Sequence, residues 1–137
     1  MNKLRGRIIT IESNDHVSLV DVEVRGDMFT ATLLETPEDA PYLRVGNVVE
    51  VLFKETEVSL AKGLSGLISL RNRMHATVKQ VHGGVILSEV VLDYRGQTVS
   101  SIITTRSIRR MDIKAGDEVE ALVKANEMTL VEVDDGL

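Results

Sequence analysis

The sequence contains no cysteine and no tryptophan, and aromatic residues make up only 3% of its 137 residues. Without cysteine, disulfides, thiolate catalysis and zinc–thiolate sites are excluded. Two Tyr and two Phe are too few for the stacking platforms with which proteins bind single-stranded nucleic acid. Hydrophobic residues still make up 43% of the chain, so a core built from Val, Ile, Leu and Met is expected.

Basic residues are outnumbered, since 16 Lys and Arg stand against 21 Asp and Glu, which gives a net charge of −5 and a pI near 5.2. This balance argues against nucleic acid or an acidic membrane as a partner, since both require a basic surface. No apolar run is long enough to span a bilayer. A signal peptide needs an uninterrupted apolar stretch, and Arg5 and Arg7 interrupt the one near the N-terminus. A cytoplasmic protein of one ordinary domain, or two very small ones, is predicted.

The chain carries an internal repeat with a constant offset of 70 residues. Residues 49–60, VEVLFKETEVSL, align with residues 119–130, VEALVKANEMTL, without a gap. The pairs Arg25-Gly26 and Arg95-Gly96 obey the same offset. Repetition of this kind indicates duplicated structural units. We predict two homologous domains, residues 1–64 and 69–137, joined by a small glycine-containing linker.

Each half reads as about five short β-strands, because β-branched runs alternate with turn signals such as Asn14-Asp15 and Gly83-Gly84. Each half also contains one segment with helical character, PEDAPYLRVG at 37–46 and RSIRRMDIKAG at 106–116. The predicted fold class is therefore all-β, with two tandem OB-like small β-barrels and one short helix in each. Barrels this small bury little surface alone, which favours tandem packing and oligomerisation.

No arrangement of residues predicts catalysis. The three histidines are scattered, and the sequence has no Ser-His-Asp order, no glycine-rich phosphate loop and no metalloprotease helix. We therefore predict that the protein is not an enzyme, has no cofactor and binds no metal cation.

A set of hydrogen-bond donors stands out in the second half. Ser69, Arg71 and Asn72 precede its first strand, Thr104 and Ser107 flank the start of its helix, and Lys124 ends its last long strand. Donors of this kind suit a small deprotonated oxyanion, which can only accept hydrogen bonds. The alternative is that Thr104 is only a helix N-cap and Ser107 only a helical residue.

Three motifs, in order, resemble those of the molybdate-binding Mop domain, or molbindin, within the TOBE family. Residues 69–72 read SLRN where the family usually has Ser-Ala-Arg-Asn, and residues 103–107 read ITTRS for an Ile-Thr-x-x-Ser pattern. Residues 111–128, MDIKAGDEVEALVKANEM, match the family's glycine–acidic–x–valine strand and its Lys-Ala ending. The resemblance covers nearly the whole chain as a tandem of two such domains.

The resemblance implies OB-like barrels that bind molybdate or tungstate in shallow sites between subunits or halves. The ligands it implies on one side of the ion are Ser69, Leu70 and Arg71, with Leu70 and Arg71 contributing backbone N–H groups. Those on the other side are Thr104, Ser107 and Lys124. It further implies that Asn72 pins the segment rather than touching the ion.

The first half departs from the family pattern. At the offset of 70, Leu34 stands in place of Thr104 and Pro37 in place of Ser107, so both hydroxyls are missing. Lys54 is retained as the equivalent of Lys124, and only Asn2 remains of the opening motif. We expect fewer sites than two intact domains would form, with Lys54 as a weaker candidate ligand.

Two functions remain open. The first is cytoplasmic molybdate or tungstate binding for storage or homeostasis by a homo-oligomer, for which a trimer is favoured. The second is a ligand-sensing regulatory or interaction module, related to molybdate-responsive regulators or to molybdate-transporter ATPases. The sequence has no helix-turn-helix and no nucleotide-binding loop, so such a module would act through a transporter or regulator partner.

Overall fold

The computed structural model describes residues 1–133, in which ten β-strands are joined by one α-helix and two 3-10 turns. The strands of the first half are β1 Asn2–Asn14, β2 Val17–Val24, β3 Asp27–Leu33, β4 Val48–Phe53 and β5 Ser59–Ala61. Those of the second half are β6 Asn72–His82, β7 Leu87–Tyr94, β8 Gln97–Thr104, β9 Glu118–Val123 and β10 Thr129–Glu132. The predicted all-β class, with five strands in each half, is confirmed.

The ten strands form two five-stranded antiparallel sheets, and each sheet takes one strand from the other half of the sequence. The first sheet has the order β10-β4-β1-β2-β3 and the second the order β5-β9-β6-β7-β8. Ser59 pairs with Leu122 in the second sheet, and Thr129 pairs with Leu52 in the first. The predicted domains, residues 1–64 and 69–137, therefore remain a prediction that rests on the sequence repeat. Each sheet contains strands from both of these segments.

The 70-residue repeat is visible in the details of the backbone. β1 has a bulge between Ile8 and Thr10, and β6 has one between Val78 and Gln80. The hairpin turns at Arg25-Gly26 and Arg95-Gly96 have positive φ at both residues. Positive φ at both central residues is typical of two-residue β-hairpins. The β-bulges and the hairpin turns therefore occur at equivalent positions in both halves.

One hydrophobic cluster runs through both halves. The inward side chains alternate with outward ones, as in β2, where Val20 and Val22 are fully buried. Phe29 of the first half and Tyr94 of the second lie with their ring centroids 6.1 Å apart. The Tyr94 hydroxyl donates to Asp27 Oδ2 at 2.5 Å, so its polar end is satisfied. This shared core and the exchanged strands join the two halves.

Only one of the two predicted helices forms. Helix α1 spans Thr105–Met111, but the equivalent first-half segment forms turns, so that prediction was wrong for residues 37–46. There, the N–H groups of Asp39 and Ala40 both donate to the Thr36 carbonyl, which closes a single turn. The turn does not continue into a helix at Pro41. Proline has no N–H, so it cannot donate the helical hydrogen bond to the carbonyl of Pro37.

Two 3-10 turns, Glu55–Glu57 and Ala125–Glu127, occupy equivalent positions between the last two strands of each half. Each turn packs against an edge strand of the other half: Glu55–Glu57 against β8 and Ala125–Glu127 against β3. Within residues 1–133, no helix is long and apolar enough to cross a membrane.

Candidate anion-binding site

Arg71 and Lys124 lie at the same end of two neighbouring strands. Asn72, the first residue of β6, pairs with Val123, the last residue of β9. Arg71 and Lys124 are the next residues on each strand, and continuing the antiparallel register places them opposite each other. Both are exposed, and neither forms an ion pair or a side-chain hydrogen bond within residues 1–133. Two like charges therefore lie at the same end of this sheet, and neither is held in an ion pair within residues 1–133.

The segment before β6 adds further donors to this end of the sheet. Ser69 is exposed and Leu70 is half-buried. The backbone N–H groups of Leu70 and Arg71 donate to no acceptor among residues 1–133. A hydroxyl, two amides and two cations are thus grouped where β6 begins, which is a donor-rich environment suited to an anion.

Asn72 holds this segment against the first half. Its side chain is fully buried, Nδ2 donates to the Thr30 carbonyl at 2.9 Å, and Oδ1 accepts from the Thr30 N–H at 2.7 Å. The repeat reproduces the contact, because Asn2 makes the same two bonds with the backbone of Ser100, each at 2.9 Å. Both ends of the Asn72 carboxamide are therefore occupied by protein, as a pinning role requires.

The two predicted hydroxyl ligands lie together at the start of α1. Thr104 is the N-cap residue: its Oγ1 accepts from the Ser107 N–H at 3.2 Å and lies 2.9 Å from Ser107 Oγ. This is the capping geometry typical of threonine. Thr104 is exposed and Ser107 is half-buried. The N-cap role of Thr104 is confirmed. These hydrogen bonds leave lone pairs and one hydroxyl proton of Thr104 and Ser107 free for a ligand.

Two shallow clefts of about 230 and 240 Å³ flank these hydroxyls, and Arg106 lines both of them. Thr104 lines the first cleft together with Val85 and Ile86, and Ser107 lines the second together with Arg110. Sequence reasoning missed these two arginines, although three arginines in a seven-residue helix were a signal.

The predicted ligands form two separate groups in a single chain. Within residues 1–133, no hydrogen bond or ion pair joins Thr104 or Ser107 to Arg71 or Lys124. The resemblance implied Lys124 on the hydroxyl side of the ion, whereas in one chain Lys124 lies at the same sheet end as Arg71. The structure thus brings together Arg71 with Lys124, and separately Thr104 with Ser107.

The equivalent first-half positions are poor in donors. Leu34 is 83% exposed, and Pro37 lies in the turn region. Lys54 precedes the first 3-10 turn as Lys124 precedes the second. Glu55, however, stands where the second half has Ala125. A carboxylate beside Lys54 opposes anion binding by like-charge repulsion.

A pair of carboxyl groups lies close to Lys124. Burial and a hydrogen bond with Glu57 raise the pKa of Glu127, and the negative charge of Glu57 adds to this increase. The positive charge of Lys124 acts in the opposite direction. Glu57 and Glu127 are equivalent in the repeat, so the two halves meet here through matching residues. Among residues 1–133, no group of three or more His, Cys, Asp or Glu side chains could hold a metal ion.

The family model and the similar proteins found by comparison all point to the same family. The TOBE domain model matches residues 68–130. Molybdenum-pterin-binding protein 3 of Clostridium pasteurianum is 35% identical over 65 residues, which are 47% of this chain and 96% of that protein. The molybdenum import ATP-binding protein ModC of Brucella abortus is 35% identical over 78 residues, which are 56% of this chain. The chain spans only 22% of the length of that ModC protein.

Among solved structures, the cytoplasmic molybdate-binding protein ModG, with molybdate bound, matches with a TM-score of 0.90 and 25% identity over 96% of both chains. The fold and the site motifs thus define a protein of tandem OB-like TOBE domains. The chain belongs to the family of molybdenum-pterin-binding (Mop) proteins. The resemblance drawn from the three sequence motifs is confirmed.

Proposed function

We propose that this protein binds molybdate or tungstate in the cytoplasm, for storage or homeostasis, as a homo-oligomer with sites between subunits. A trimer is the favoured assembly. The protein acts as a binder rather than an enzyme and needs no cofactor. The observation that carries the proposal is the convergence of Arg71 and Lys124 at one end of the second sheet.

The chemistry of the two cations favours a dianion. Two cations at one end of a sheet repel each other, and a bound dianion would offset this repulsion. Arginine offers a planar fork of donors and lysine a compact charge, so the pair can both orient and neutralise a tetrahedral oxyanion. Ser69 and the amides of Leu70 and Arg71 complete this side. Molybdate is favoured because the relatives are named for molybdenum and the ModG structure holds molybdate.

The separation of the two donor groups supports the intersubunit location. No hydrogen bond or ion pair within residues 1–133 joins Thr104 or Ser107 to Arg71 or Lys124, so a neighbouring subunit would bring the two groups to the same ion. Asn72 fixes the segment from Ser69 to Arg71 but does not bind the ion. Lys54 forms at most a weaker site, because hydroxyls are missing from the first half and Glu55 lies beside it.

Isothermal titration with molybdate, tungstate and sulfate tests the proposal. We expect saturable binding of molybdate or tungstate, no heat from sulfate, and a loss of affinity of at least tenfold in Arg71→Ala and in Lys124→Ala. Tenfold corresponds to about 1.4 kcal/mol, which is modest for a charge-assisted hydrogen bond. Lys79→Ala is the matched control, because Lys79 is an exposed lysine on β6 away from its start.

Two results would contradict the proposal. One is an absence of heat and of any thermal shift with all three oxyanions. The other is an equal loss of affinity in the Lys79→Ala control, which would indicate a general charge effect rather than a site.

The alternative function is a ligand-sensing or interaction module that acts through a transporter or regulator partner. The similarity to a molybdenum import ATP-binding protein over 78 residues favours this candidate. A test is to measure whether molybdate changes the affinity of this protein for a purified molybdate-transporter ATPase. Binding of the ATPase that depends on molybdate would support the module, and no binding with or without the ion would exclude this partner.

A further inference from the structure

The outer surface of α1 carries a concentration of positive charge. Arg106, Arg109 and Arg110 are all exposed, and none forms an ion pair or a side-chain hydrogen bond within residues 1–133. Three arginines and no acidic residue occur in the seven residues of the helix. A local charge of +3 is unusual in a chain whose net charge is −5.

The equivalent segment of the first half carries the opposite charge. Residues 35–41, ETPEDAP, contain Glu35, Glu38 and Asp39 and no basic residue, which gives a local charge of −3. All three side chains are exposed. They do not pair with α1 within the chain: Glu35 accepts from the Tyr42 hydroxyl and Asp39 from the Thr36 hydroxyl. One repeat position thus presents cations in one half and anions in the other.

Exposed apolar residues accompany both charged surfaces. Val85 and Ile86, 89% and 73% exposed, line the cleft of about 230 Å³ beside Arg106. Leu34, 83% exposed, directly precedes Glu35. We call the first surface the basic face (Val85, Ile86, Arg106, Arg109 and Arg110) and the second the acidic segment (residues 34–39). Arginines next to apolar side chains are typical of protein–protein contact surfaces.

We propose that the basic face of one copy of this protein binds the acidic segment of a second copy, in a head-to-tail contact. Leu34 of one copy covers the apolar floor formed by Val85 and Ile86 of the other, and the carboxylates pair with the guanidinium groups. The contact joins two different surfaces, so it is heterologous and produces a closed ring or an open chain.

A second copy fits this surface better than an unrelated partner, because both members of the complementary pair lie on one chain. They match in the number of charges and each has an exposed apolar residue beside it. The proposal identifies the surfaces of the homo-oligomer and requires no bound oxyanion. The inference rests on the homo-oligomer of the proposed function, but the two can fail separately. The charge-reversal variants test the contact surfaces, whereas titration with oxyanions tests the binding of the ion.

The test begins with the mass of the full chain in solution, measured by sedimentation without oxyanion. We expect an oligomer at low salt that dissociates as the salt concentration rises, because salt screens exposed charge pairs. The charge reversals Arg106→Glu/Arg110→Glu and Glu35→Lys/Glu38→Lys should each lower the mass to the 15.1 kDa of one chain. Thermal unfolding establishes that each variant is folded.

Mixing the two variants gives the decisive result. The first variant keeps a native acidic segment and the second keeps a native basic face, so the mixture should recover an oligomer that neither variant forms alone. A single chain that carries all four substitutions should also assemble, since its charges are exchanged but still complementary. Lys3→Glu/Arg5→Glu is the control for the arginine variant, because it makes the same change in net charge, and it should keep the wild-type mass.

Three results would overturn the proposal. A wild-type protein that stays at 15.1 kDa at every concentration would show that no second copy binds. Folded variants that keep the wild-type mass would show that other surfaces assemble. Dissociated variants that do not recover an oligomer on mixing would exclude the head-to-tail contact.

Discussion

Asn72 shows how one residue can connect a binding segment to a distant part of the fold. Its carboxamide satisfies both backbone groups of Thr30, which lies 42 residues away in the sequence. The motif made Asn72 recognisable, and its pinning role was expected. Its partner could not be found from the sequence, because nothing in the local pattern around Thr30 marks it as an acceptor.

Replacing Asn72 by alanine should strongly destabilise the protein. The substitution leaves the Thr30 N–H and carbonyl without partners in a buried position, so we expect a loss of about 2–4 kcal/mol in the free energy of unfolding. Urea denaturation measures this value. Asn126→Ala is the control, because Asn126 is exposed in the second 3-10 turn, and it should change stability by less than about 0.5 kcal/mol. Equal effects of the two substitutions would contradict the pinning role.

At the scale of secondary structure elements, strand exchange is the main feature that the repeat did not reveal. The last strand of each half, β5 or β10, pairs with the other half instead of its own. Turn signals and β-branched runs predict where strands occur, but they do not determine which strand lies beside which. That choice depends on the direction of the chain after the 3-10 turns, which pack on the opposite half.

A fragment of residues 69–137 should therefore not exist as a folded monomer. Without β5, the edge of β9 lacks its partner, and β10 lacks β4. Because the two halves are equivalent, β10 of one fragment can take the place of β5 in another, and we expect a strand-exchanged dimer. Light scattering after size-exclusion chromatography gives the mass. A folded monomeric fragment would mean that each half can complete its own sheet.

At the scale of the whole molecule, Glu57 and Glu127 bring like charges together where the two halves meet. The raised pKa of Glu127 means that the folded protein holds its proton more tightly than the unfolded chain does. Its contribution to stability is therefore fully present below the ordinary pKa of 4.5 and is lost as the pH rises through the raised value.

Replacing Glu127 by glutamine should stabilise the protein at neutral pH. The substitution removes the repulsion of Glu57, so we expect the Tm at pH 7 to rise by roughly 3 °C. At pH 4 the Tm should change little, since Glu127 is already largely protonated in the folded state. Thermal unfolding at both pH values, with Glu12→Gln as an exposed control, measures the difference. A rise at pH 4 equal to that at pH 7 would show that the carboxyl pair is not responsible.

Local structure, the repeat and the family can be predicted from the sequence alone. Strand positions, the hairpin turns at Arg25-Gly26 and Arg95-Gly96, and the N-cap at Thr104 follow from short-range preferences, which are present in the sequence. The absence of a first-half helix was also accessible, because Pro37 and Pro41 are four residues apart.

Contacts between residues that are distant in the sequence depend on the tertiary structure. The register of β6 with β9 brings Arg71 to Lys124, the exchanged strands join the halves, and the packing of the 3-10 turns brings Glu57 to Glu127. These contacts depend on how the strands pair and pack over long sequence separations. Burial and strand order determine that pairing, and no local sequence pattern encodes it.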